Sequence, residues 1–156
     1  MDRQGHPDRR EATRETRLTL SIAWSFVLFN YIYADFGFFA RIMMDPAMMG
    51  RFQALGQAHY SQWAMLALAA MMEIPIAMVL LSWLLRRKAN RIANIAAGIA
   101  MTLVILFTLF GGGRVPPLDF YSFFQAIEIA ATVAIVCHAW RWREPDRVGD
   151  GSGAAD

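Results

Sequence analysis

The chain has 156 residues, of which 56% are hydrophobic and 18% charged, with a formal net charge of +2. That balance is too apolar for an ordinary soluble domain of this size. A single cysteine, Cys137, excludes an internal disulfide and a cysteine-based metal cluster, and the basic residues form no nucleic-acid motif.

Residues 1–16 are polar and charged, and read as a disordered tail or one that is helical only close to a membrane. Four apolar stretches follow, at about Leu18–Phe39, Trp63–Leu85, Ile92–Phe110 and Leu118–Trp140. A spanning helix needs about 20 residues, and lipid offers the backbone no partner outside its own helix. The expected fold class is all-α, an integral membrane four-helix bundle running up-down-up-down over residues 17–143. The first stretch is too long for the apolar part of a signal peptide, contains Asn30 and Asp35, and lacks a small-residue cleavage site, so it reads as a retained helix.

The segment RIMMDPAMMGRFQALGQ is longer than a turn requires. Asp45 before Pro46 is a good helix start, and a short interfacial helix is expected in this first outer loop. Its methionines Met43, Met44, Met48 and Met49, with His59, would suit copper(I). A flexible apolar anchor accounts for them better, and no metal is expected. Further on, Ala89, Ala93 and Ala97 with Gly98 make a packing seam. GGGRVPP forces a turn, and residues 144–156 read as a second disordered tail.

Twelve of the fifteen Lys and Arg residues fall before the first stretch, between the second and third, or after the fourth. The positive-inside rule puts both termini in the cytoplasm.

Two glutamates stand at the centres of apolar stretches, Glu73 in the second and Glu128 in the fourth. A charged side chain there costs roughly 2.5–3.5 kcal/mol on insertion scales. Aligned by depth, Asn30, Glu73 and Glu128 share one level, and Asp35 lies about 10 Å further out, at 1.5 Å per residue. Tyr121, Gln125, Glu128 and Thr132 recur at helical spacing, so they share one face. Tyr31 and Asp35 share a face of the first helix. Pro75 frees the carbonyl of Met71 as an acceptor beside Glu73. These residues define a candidate ligand- or proton-binding site of Glu73, Glu128, Asn30, Gln125, Tyr121 and Asp35. The bland alternative is structural glue, with a protonated carboxyl donating one hydrogen bond to Asn30 or Gln125.

The segments LSIAWSFVLFNYIYAD, MMEIPIAMVLLS, KANRIANIAAGI and FYSFFQAIEIAATVAIV resemble an uncharacterised bacterial family of small four-helix membrane proteins, a domain of unknown function loosely similar to DoxX-like proteins. The resemblance implies the fold and no established activity. DoxX-like proteins are tied to quinone-linked oxidoreductase complexes, an analogy only.

Three function classes follow. The first is an accessory or binding subunit holding a lipid-soluble or polar ligand, with a quinone or lipid open as that ligand and no cofactor otherwise expected. The second is a proton- or cation-coupled transporter, for which a chain this small needs a homodimer. The third is a membrane enzyme with Glu73 and Glu128 as acid and base; HExxH, GxSxG and phosphate-loop motifs are all missing from the chain. The expected partners are the bilayer and a homodimer or larger membrane complex, not nucleic acid.

Overall fold

A computed structural model describes residues 5–57, 61–110 and 120–142. The GGGRVPP turn, His59 and the tail from residue 144 lie outside the described residues. Those described form five helices: α1 (Gly5–Met44), α2 (Pro46–Gln57), α3 (Gln62–Leu84), α4 (Arg87–Phe110) and α5 (Phe120–Arg141). Four of the five, α1, α3, α4 and α5, are long and apolar enough to cross a membrane.

α1 begins well before Leu18, so the expected tail is helical from Gly5. Glu11, Ala12, Arg14 and Glu15 are good helix formers, and extending an existing helix avoids the cost of nucleation. α2 starts where the Asp45–Pro46 pair requires. The Asp45 carboxylate accepts hydrogen bonds from the backbone N–H of Ala47 at 2.9 Å and of Met48 at 3.4 Å. α3 continues through the buried Pro75. At its end, Arg17 of α1 donates to the carbonyls of Trp83 and Leu85, both at 2.9 Å. A cation on the last carbonyls of a helix satisfies groups that have no partner within it.

α1 packs on α3 and α5, and α4 packs on the same two helices. α3 and α5 therefore each lie between α1 and α4 rather than on one another. Two ends of the bundle can be named by their contacts. At the Trp142 end, the Arg87 guanidinium lies 5.4 Å from the Trp142 ring centre and that of Arg91 lies 5.6 Å from Trp140. At the Phe120 end, Phe38 of α1 meets Tyr121 of α5 with ring centres 5.7 Å apart, and Gly37 lies directly against the Phe120 ring.

α4 and α5 approach each other closely at Gly98. A Cβ on Gly98 would fall 2.6 Å from Val136 Cγ2 and 3.3 Å from the carbonyl oxygen of Thr132. Ala93 and Ala97 are half-buried on the same helix, so small residues set the approach distance.

The distribution of polarity is inverted relative to a soluble bundle. Ser21, Asn30, Ser82, Asn90, Asn94, Gln125, Glu128 and Thr132 are buried, whereas Phe36, Leu80, Ile92, Leu103 and Phe107 are exposed. Large apolar side chains left outside, with polar ones gathered beside an apolar core of Leu20, Trp24, Val27 and Met101, is the order that a lipid solvent selects.

Candidate functional site

The buried polar residues form two layers. The first lies toward the Trp142 end. Trp24 Nε1 donates to Asn94 Oδ1 at 2.7 Å. Asn94 Nδ2 donates to the Asn90 side-chain oxygen at 2.6 Å and to its backbone carbonyl at 2.9 Å. Asn90 Nδ2 donates to the Ser82 carbonyl at 2.5 Å, and the Ser82 hydroxyl to the Met78 carbonyl at 2.7 Å. Ser21 donates to the Val79 carbonyl at 3.0 Å. The layer joins α1, α3 and α4, and each side chain in it has a partner. Asn90 and Asn94 thus bond across helices, as their place beside the alanine seam suggests.

The second layer lies toward the Phe120 end and is built from α1, α4 and α5. The helical stripe on α5 turns inward: Gln125, Glu128 and Thr132 are 6%, 2% and 0% exposed. The hydroxyls of Thr132 and Thr102 lie 2.8 Å apart, and Gln125 Nε2 donates to the Thr108 hydroxyl at 3.1 Å. Thr132 also donates to the backbone carbonyl of Glu128 at 2.9 Å. The carboxyl of Glu128 is different. Among the described residues its buried Oε1 has no hydrogen-bond partner, and neither has the buried hydroxyl of Tyr31. The two groups interact electrostatically, and both also interact with Asp35 and Tyr121. Asp35 and Tyr121 are exposed, so the cluster runs from the surface near the Phe120 end inward to Glu128. Past Thr132 it stops. Val27, Met101 and Ile135, at most 1% exposed, fill the next turns of α1, α4 and α5 and separate the two layers.

Four of the six residues singled out from the sequence, Glu128, Gln125, Tyr121 and Asp35, belong to this second layer. Asn30 is buried but donates to the Phe26 carbonyl of its own helix at 3.0 Å, a local bond that makes no reference to Glu128. Glu73 lies elsewhere. It is exposed on α3, while Glu128 faces the interior from α5, and those two helices do not pack on each other. The two glutamates thus occupy differently facing positions on different helices, because equal depth does not fix the face a residue occupies. Sequence reasoning missed Tyr31, Thr102 and Thr108 as members. For Tyr31 the available signal was its shared face with Asp35. Threonine gives little signal in a spanning helix, since its hydroxyl can bond a preceding carbonyl, as Thr102 does to Gly98 at 2.8 Å.

Among the described residues, no group of three His, Cys, Asp or Glu could hold a metal ion. The orphaned atoms instead suit an organic ligand with a donor and an acceptor, or a proton.

Four membrane-length helices around a buried carboxyl define a small multi-pass α-helical membrane protein. The chain belongs to a family of unknown function (DUF6326), whose family model matches residues 10–148. No curated protein and no solved structure matches it.

Proposed function

We propose that this is an accessory or binding subunit that holds the polar group of a lipid-soluble ligand between Tyr31 and Glu128. The observation that carries this reading is the pair of buried, unpartnered oxygens. Leaving a buried polar group unbonded costs about 1–3 kcal/mol, and a ligand would recover that cost. The Tyr31 hydroxyl can donate to a carbonyl, and Glu128 can accept from a hydroxyl. A quinone and its quinol carry those two groups.

The setting is a bacterial inner membrane, with both termini cytoplasmic and the spanning helices running up-down-up-down. Support comes from the contacts of Arg17 with the end of α3, of Arg87 with Trp142 and of Gly37 with Phe120. The basic residues concentrated at the Trp142 end add to it. α2 then lies on the outer surface as an interfacial helix. Glu73, exposed within a span, supports a contact with another subunit, in a homodimer or a larger membrane complex.

The transporter reading needs a polar route through the bundle. The apolar plug of Val27, Met101 and Ile135 favours a one-sided site instead. Mass spectrometry of organic extracts from the purified chain tests this. The expected result is a lipid-soluble small molecule retained by the wild type and lost from Glu128→Gln and Tyr31→Phe, with folding intact. Proton-linked flux in vesicles that Glu128→Gln abolishes would establish the carrier instead.

A further inference from the structure

A cavity lies away from the carboxyl layer, at the Trp142 end. It has a volume of about 230 Å³ and is lined by Arg87, Lys88, Arg91, Ile92 and Trp142. Three cations therefore converge on one small space with an apolar wall. The Arg91 guanidinium is stacked over Trp140, and among the described residues its buried Nε has no hydrogen-bond partner. The indole face holds the guanidinium in place, and a planar guanidinium matches the geometry of an oxyanion.

Deeper along the same helix pair, a groove of about 170 Å³ is lined by Ile99, Thr102, Leu103, Val133, Val136 and Cys137. Lys88, Ile92, Ile99 and Leu103 recur at helical spacing and are all exposed, so the two spaces open on one face of α4. Ile99 lies about 10 Å deeper than Ile92, at 1.5 Å per residue. On α5, Trp140, Cys137 and Val133 are likewise exposed and in register. A cationic pocket at the end of a spanning helix, with an apolar groove running from it into the hydrocarbon depth, has the shape of an amphiphile.

We propose that this α4–α5 face binds an anionic phospholipid, its phosphate held by Arg87, Lys88 and Arg91 and one acyl chain lying in the groove at Leu103 and Val136. Free phosphate shares the headgroup chemistry but has no use for the groove. A zwitterionic lipid shares the groove but carries a compensating cation.

The test uses the full chain in nanodiscs of phosphatidylcholine and phosphatidylglycerol, released into mild detergent, with retained lipid counted by native mass spectrometry. Wild type is expected to keep phosphatidylglycerol in preference to phosphatidylcholine, and excess inorganic phosphate should not displace it. The K88Q/R91Q variant should lose about fivefold in retention for each charge removed. Leu103→Trp, which fills the groove, should also release the lipid. Circular dichroism and gel filtration verify folding, and Lys88→Gln alone replaces the double variant if that one does not fold. Equal retention of the two lipids, or undiminished retention by the charge variant, would overturn the proposal. Displacement by phosphate, or full retention by Leu103→Trp, would overturn the lipid in favour of a phosphate site.

Discussion

The two buried polar layers are built from similar residue types and lie in the same bundle, yet they differ in how completely they are bonded. Toward the Trp142 end, Trp24, Asn94, Asn90 and Ser82 form a chain in which every donor named finds an acceptor. Toward the Phe120 end, Gln125 and the threonines are bonded, but among the described residues the Tyr31 hydroxyl and Glu128 Oε1 are not. A satisfied network inside a membrane is what helix association needs. An unsatisfied one opposes stability and persists only where something else selects it. On this difference rests the proposal that one layer is structural and the other binds a ligand.

The strongest way to break this comparison is to separate the helices that frame the second layer. Gly98→Leu drives a side chain into Val136 and the Thr132 backbone. The expected loss is about 1–3 kcal/mol of unfolding free energy, measured by equilibrium unfolding in detergent, together with loss of bound ligand. Asn94→Leu comes next and strikes the satisfied layer alone. It strands Trp24 Nε1 and Asn90 Oδ1, for a loss of about 1–2 kcal/mol. Ligand retention per folded molecule should stay at the wild-type level; a ligand lost in proportion to the Asn94 network would merge the layers into one.

The smallest effect is expected at Glu73. Exposed on α3 and remote from the α1–α4–α5 layer, it should couple weakly to Glu128, as distant sites generally do. Glu73→Gln is expected to change retention at Glu128 by less than about twofold. A loss as large as that of Glu128→Gln would restore the shared carboxylate site, formed then between chains.

Much of the fold was legible because hydropathy and length act locally. Four apolar runs became four membrane-length helices, and Asp45–Pro46 started α2. The polar stripe on α5 was equally legible, since helical period alone sets which residues share a face. Pairings between helices were not. Glu73 and Glu128 match in depth, but depth says nothing of rotation about the helix axis, and α3 turns its glutamate outward. The start of α1 at Gly5 was obscured because charged residues read as tail unless they continue an existing helix. Tyr31 entered the site from the side of α1 facing α5, a contact that no single-helix pattern encodes. The cavity at Arg87, Lys88 and Arg91 was hidden because the same charges served as orientation signals.

The central claim is that Glu128 is retained at a cost to stability, unlike Asn94. The most direct test is the thermal unfolding midpoint of Glu128→Leu beside that of Asn94→Leu in the same detergent. Replacing a buried carboxyl that has an unpartnered oxygen by an apolar side chain of similar size should leave the midpoint unchanged or raise it by about 2–4 °C, whereas Asn94→Leu lowers it. A fall in Glu128→Leu as large as that in Asn94→Leu would show that Glu128 is structural glue and contradict the account.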